Sequence, residues 1–271
     1  MTAAGDPLYF FAVLKYNTLV MNDNYFYSEN SNIRAYEVDF TGKLLPSGLL
    51  VRTQEISEDH GVILGIGRED IIKSRGLCWM ILHMHFEADR YPYIADKIRT
   101  RTWAYVESRA CVRRNYVFED PEGRPYFRGT SEWVLFRLEE KKLALPKAIE
   151  DLWSEKKLVD DPAPYTKRQR PNQHLTDFAV HRVLYSDCDM NRHMNNVKYL
   201  DSVLDSYPVD FVLSNEIAEF DMTYVGQASL GDELVLRKYE DGAVHYISGF
   251  VGENNIFNTI LKWRNITKEG R

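Results

Sequence analysis

The sequence predicts an α+β fold that carries one pattern twice: a short strand, a helix, then a run of antiparallel strands. Three observations predict it. Alternating apolar and polar residues dominate the stretches that follow each helix-like segment. Those stretches succeed one another without intervening helices, which rules out an alternating parallel sheet. A charged stretch from about Leu145 to Pro171, holding Pro146, Pro162 and Pro164, separates the two runs. The expected organisation is a first copy over 1–145, a linker over 146–171 and a second copy over 172–271.

The first copy is expected to open with a strand over residues 36–40, where Tyr36, Val38 and Phe40 alternate with acids. A helix follows over 46–58, with Pro46 suited to its first turn and Gly61 past its end. A shorter helix covers 68–74. Strands are then expected over 77–89, 97–106, 110–118 and 126–138, with Asp120-Pro121-Glu122-Gly123 as a turn. In the second copy, a strand over 181–185 precedes a helix over 195–207, where Val197, Leu200, Leu204 and Tyr207 share one face and Pro208 ends it. Strands follow over 219–225, 233–239, 244–251 and 256–264, with Asp241-Gly242 as the clearest hairpin turn.

The bulk composition narrows the function. With 271 residues, 44% of them hydrophobic, the chain can bury a sizeable core. A net charge of −6 disfavours nucleic-acid binding, which needs a basic surface. Lys141, Lys142, Lys167, Arg168 and Arg170 could form a local basic patch but read more simply as a solvated linker. Cys78, Cys111 and Cys188 show neither metal spacing nor a paired framework, so a reducing, cytoplasmic location is expected. No apolar run reaches the roughly 20 residues of a membrane span, and no signal peptide is evident. His83 and His85 could share a strand face, but without a third ligand they read as a packed pair rather than a metal site. No cofactor is expected.

The densest chemistry lies in residues 186–200, where Asp189, Asn191 and His193 stand two apart just before a helix. An acid, an amide, an imidazole and a helix N-terminus can together hold a carbonyl and activate a water. This stretch resembles the acid-x-Asn-x-His-x-Asn-Asn-x-x-Tyr signature of the acyl-acyl-carrier-protein thioesterases of plants and bacteria. Residues 79–92, ending in Asp89-Arg90-Tyr91-Pro92 and followed by Trp103, are similar to that family's first-domain strand. The likeness runs from about Asn32 to Arg264, and the lack of a transit peptide points to a bacterial-type member.

The resemblance implies a tandem double hotdog, in which a curved antiparallel sheet wraps a helix in each copy and the two sheets join edge to edge. It implies hydrolysis of fatty acyl-acyl carrier protein, with one active site, in the second copy. The family's catalytic roles carry over to Asp189, Asn191 and His193. Asn191 is expected to hold the water or the thioester oxygen, and His193 to act as base. Asp189 would orient the imidazole or the local backbone, and backbone N–H groups from Met194 to Asn196 would receive the oxyanion. The family also places a catalytic Glu on a later strand, often followed by Cys. Anchored on Gly231-Asp232, this chain has Gln227 and Ala228 there. Glutamine cannot take a proton but can position a water. Leu49, Leu50, Thr53 and Ile56 of the first helix are expected to shape the acyl pocket. Asn195 and Asn196 are read as helix-start residues and counted with the substrate-binding ones. Cys188 is the weaker choice of nucleophile. An acyl-CoA thioesterase and a non-catalytic acyl-binding protein are the alternatives, and either a monomer or a homodimer fits.

Overall fold

The computed structural model describes residues 26–153, 163–168 and 174–266. The N-terminal residues read for targeting signals, and Pro162, Arg170 and Pro171 of the expected linker, lie outside the described residues.

The first copy comprises β1 (Tyr27–Asn32), α1 (Pro46–Ile63), α2 (Arg68–Arg75), β2 (Leu77–Ala88), β3 (Lys97–Val106), β4 (Val112–Glu119), β5 (Pro125–Arg137) and the short β6 (Lys142–Ala144). The second comprises β7 (Thr176–Arg182), α3 (Asn196–Leu204), α4 (Val209–Ser214), β8 (Asn215–Tyr224), β9 (Glu233–Asp241), β10 (Val244–Val251) and β11 (Asn254–Asn265). The strands form one sheet in the order β1-β3-β4-β5-β2-β8-β11-β10-β9-β7, with β6 on β5. The order reads alike from either end, so the copies are related across the antiparallel β2–β8 seam. The double-hotdog expectation is met.

At the seam Met84 faces Met222 and Phe86 faces Phe220, whose rings lie 5.4 Å apart. Their side chains belong to the main core, which α1 and α3 complete by packing against each other. Full burial of each such side chain is worth about 1.5–3 kcal/mol. On the opposite face of the seam, His85 stands across from Asp221, and His83 Nε2 lies 2.8 Å from Asp221 Oδ2. Residues 163–168 cover this polar layer. Thr166 donates to Asp221, the Tyr165 hydroxyl donates to Glu132 at 3.1 Å, and Arg168 pairs with Glu132 at 3.2 Å. The Arg113 guanidinium lies 3.5 Å from the centre of the Tyr165 ring. Further upstream, Ile149 and Trp153 are buried against Leu77, Leu135 and Ala144. The stretch expected as a linker is therefore docked through Ile149, Trp153 and residues 163–168, while Lys141, Lys142, Lys167 and Arg168 are exposed, as a solvated face requires.

Other expectations need correction. Residues 36–40 are not a strand: Ala35–Glu37 form a 3-10 turn, and the first strand, β1, precedes it. Glu37 turns inward, accepting the Arg34 N–H at 2.7 Å and pairing with Arg52 at 2.7 Å. Tyr36 and Phe40 are 82% and 79% exposed, so the alternation is real but inverted. The second copy repeats this at Tyr185–Asp187, where Asp187 accepts the Leu184 N–H at 2.8 Å and meets His181 Nε2 at 2.9 Å. Helix α1 runs on through Gly61, where an added Cβ would sit 3.3 Å from the Gly67 Cα; the glycine permits that approach. Helix α3 stops at Leu204, and α4, after Pro208, is a helix that periodicity did not indicate.

Burial alone would raise the Asp221 carboxyl, but the hydrogen bonds from His83 and Thr166, with the His85 ring 3.7 Å away, outweigh it and hold it at about 2. A depressed carboxyl contributes stability above its ordinary value of 3.8 and loses it as pH falls toward about 2. Asp221→Asn should cost about 2 kcal/mol in urea unfolding at neutral pH, because the amide keeps an acceptor but loses the carboxylate charge that the bonds from His83 and Thr166 stabilise. The gap between wild type and variant should close as the medium is acidified through that window.

Candidate active site

The Asp189–His193 segment is a tight loop between two bridged residues, Cys188 and Met194. Its backbone is closed by the Asp189 N–H to His193 O bond at 2.8 Å and the Arg192 N–H to Asp189 O bond at 3.0 Å. The Asp189 carboxylate accepts the Asn191 N–H at 2.8 Å and the His193 N–H at 3.4 Å on Oδ1, and Asn191 Nδ2 at 3.1 Å on Oδ2. Of its two expected roles, Asp189 thus performs the backbone one: it shapes the loop and fixes the Asn191 amide, leaving Asn191 Oδ1 without a hydrogen-bond partner among the described residues. Asn191 is exposed and His193 half-buried.

The first copy holds the same loop. Asp39 Oδ1 accepts the Thr41 N–H at 2.7 Å and the Lys43 N–H at 3.2 Å, and Val38 bridges Leu44. The Asp is common architecture; Asn191 and His193 replace Thr41 and Lys43. Lys43 is buried and lies 3.5 Å from Glu216 of β8.

The elements behind the loop set its position. The Asn195 N–H donates to Asp187 O at 2.8 Å, and the Met194 N–H to Ala228 O at 2.8 Å. Both donors are engaged in the fold, so the oxyanion donor expected among Met194 to Asn196 narrows to Asn196. That residue takes the first position of α3, where a helix leaves its N–H without an intrahelical partner. Asn195 is the N-cap, its Oδ1 accepting the Val197 N–H at 3.0 Å. His193 makes an isolated bridge to Ser229, so Gln227 lies two residues along the facing segment. Its side chain is exposed and hydrogen-bonds no described residue, whereas its neighbours are pinned: the Gly226 N–H reaches Ile256 O at 2.9 Å and the Ala228 N–H reaches the Tyr199 hydroxyl at 3.0 Å. Burial, with Asp189 and Asp232 nearby, pushes the Tyr199 hydroxyl up, so it stays protonated.

Leu49, Leu50, Thr53 and Ile56 are all buried on α1, and the Thr53 hydroxyl bonds Leu50 O at 2.7 Å, within the helix itself. Leu49, Leu50 and Ile56 sit in the core that α1 shares with α3. Half-buried Cys188 donates to Leu184 O at 3.5 Å and packs on that core, which suits a structural thiol. Among the described residues no group of His, Cys, Asp and Glu is arranged to hold a metal ion. Sequence reasoning missed Asp187 and the Tyr199 hydroxyl. The spacing of Asp187 to Asp189, matching Glu37 to Asp39, was the available signal for the first.

Residues 24–152 match the family model described as the acyl-ACP thioesterase N-terminal domain, and residues 171–265 match its C-terminal domain. Among curated proteins, the chain is 25% identical over 254 residues to oleoyl-acyl carrier protein thioesterase 2, chloroplastic, of Arabidopsis thaliana, covering 86% of this chain and 69% of that one. It is 26% identical over 218 residues to palmitoyl-acyl carrier protein thioesterase, chloroplastic, of Gossypium hirsutum, covering 76% and 52%. It thus spans from about half to about two thirds of their length. The fold is shared with an acyl-ACP thioesterase from Bacteroides thetaiotaomicron (TM-score 0.79, 23% identity, 88% and 98% covered). It is shared also with the 12:0-ACP thioesterase from Umbellularia californica (TM-score 0.74, 21% identity, 89% and 98% covered).

Arg192 adopts φ +64°, a left-handed conformation that its first-copy equivalent, Gly42, adopts at +84°. Side chains other than glycine are strained there. Arg192→Gly should therefore raise stability by about 0.5–1 kcal/mol, read as a higher urea midpoint at unchanged slope. An unchanged or lower midpoint would show that the arginine side chain offsets the strain.

Proposed function

We propose a reaction for a chain that belongs to the acyl-ACP thioesterase family: water cleaves the thioester between a fatty acyl group and the phosphopantetheine arm of acyl carrier protein, releasing the free fatty acid. One observation carries the assignment of the site to the second copy. Two copies of one loop are present, and only that at Asp189 bears an amide and an imidazole.

In this reading His193 takes a proton from a water held by Asn191 Oδ1 and by Gln227. The water oxygen attacks the thioester carbon, and the oxyanion forms near the Asn196 N–H, where the start of α3 favours negative charge. The carbon–sulfur bond then breaks, and His193 returns the proton to the departing thiolate. Gln227 cannot serve as base, so the proton passes through His193 alone. Leu49, Leu50, Thr53 and Ile56 form the acyl wall. One missing methylene in such a pocket is worth only about 1–3 kcal/mol, so a broad chain-length preference follows.

Three thiols, all free, support a reducing, cytoplasmic setting. No helix among the described residues is long and apolar enough to cross a membrane. The fused copies bury in one chain the contact that separate copies would make by pairing, which supports a monomer or a homodimer.

The test is steady-state hydrolysis of acyl-carrier-protein and acyl-CoA substrates of medium and long chain, with His193→Ala as control. Turnover on the carrier-protein substrates should fall about 10²–10⁴-fold in the variant. Turnover confined to CoA esters would keep the chemistry and change the partner. Binding without turnover on either, by folded wild type, would replace the reading with an acyl-binding role.

A further inference from the structure

The two loops rest on matching backbone scaffolds. The Leu45 N–H to Glu37 O bond (2.9 Å) matches Asn195 to Asp187, and Leu44 N–H to Pro92 O (3.0 Å) matches Met194 to Ala228. The Tyr93 N–H bond to Asp96 Oδ2 and the Ser229 N–H bond to Asp232 Oδ2 are both 2.8 Å. Side chains that differ on this common frame mark what the Asn191–His193 copy needs and the other lacks.

One difference is coupled. Tyr199, four residues past the N-cap Asn195, accepts the Ala228 N–H on its hydroxyl. The equivalent pair in the first copy is Leu49, four past the N-cap Leu45, and Pro92. Leucine has no hydroxyl and proline no N–H, so the bond is absent at both ends at once. Leu49 and Tyr199 are equally buried, so apolar packing does not require the hydroxyl. A second hydroxyl follows the same division. Tyr224, the last residue of β8, donates to Asn196 O at 3.3 Å, and the last residue of β2 is Ala88.

We propose that Tyr199 is a positioning residue: by holding the Ala228 amide it fixes the adjacent Gln227 beside the His193 loop. Gln227 needs such a tether, because its own side chain bonds to no described residue and its place is set by backbone alone. Ala228 is fully buried, so without the hydroxyl its N–H would lack both protein and water. The segment would then shift to find a partner, and a shift of about 1 Å at a reacting group can cost about 10²-fold in rate. This inference rests on the thioesterase reading.

The experiment is a double-mutant cycle of Tyr199→Phe and Gln227→Ala in the full chain, assayed on an acyl-acyl carrier protein that the wild type hydrolyses. Phenylalanine keeps the ring contacts with Phe257 and Tyr224. Expected are a kcat lower by about 10- to 100-fold, a KM within about twofold, and a much smaller effect when Gln227 is already Ala. Hydrogen exchange at the Ala228 amide should quicken. Ala228→Pro, which removes the same bond from its other end and leaves Tyr199 intact, should reproduce the kcat loss. It also serves if Tyr199→Phe does not fold. A full kcat in Tyr199→Phe or in Ala228→Pro, or an equal loss with and without Gln227, would overturn the proposal. A wild type without turnover would instead defeat the thioesterase reading, and the exchange measurement would still report on the tether.

Discussion

Pairing of β2 with β8 is the constraint from which the rest of the architecture follows. Each copy is a curved sheet with an open strand edge, and an open edge carries unpaired backbone donors and acceptors. Joining the two edges satisfies those groups and sets the two helices face to face. The seam is also where side-chain chemistry divides. Phe86, Phe220, Met84 and Met222 go to the core side, and His83, His85 and Asp221 to the other. Residues 163–168 then close over the polar side, so the connection between copies also seals the joint that holds them together.

At the loops, an acid does architectural work in both copies. Asp39 and Asp189 each gather the N–H groups of the residues two and four positions on, which is what short acidic side chains do well in turns. This separates two meanings of an acidic residue in a motif. The carboxylate builds the loop, and the residues it presents decide what the loop can do. Asn191 and His193 give one loop chemistry, whereas Lys43 gives the other an internal contact with Glu216.

Much of this was legible in the sequence because the signals were local. Strand alternation, Gly242 at φ +60° in its hairpin, and Pro46 in the first turn of α1 are all short-range facts. The Asp-Asn-His spacing likewise marked its own loop. Where the reading failed, a distant partner decided. Residues 36–40 alternate like a strand, yet Arg52, on α1, draws Glu37 inward and turns the aromatics out. β1, with the polar run Ser28-Glu29-Asn30-Ser31, offers almost no apolar pattern; pairing with β3 makes it a strand. The bond between the Tyr199 hydroxyl and the Ala228 amide joins residues far apart in the chain, so no window of sequence contains it.

Lys43 occupies the position that His193 holds in the other copy and has its own partner across the seam. In an assembly of two identical chains that arrangement could not arise, since every substitution would appear at both positions together. A lysine in one loop would be a lysine in both, and the imidazole would be lost. Carrying both halves on a single gene product releases them from that symmetry. One loop is free to become a fastener, and its twin can keep the reactive groups.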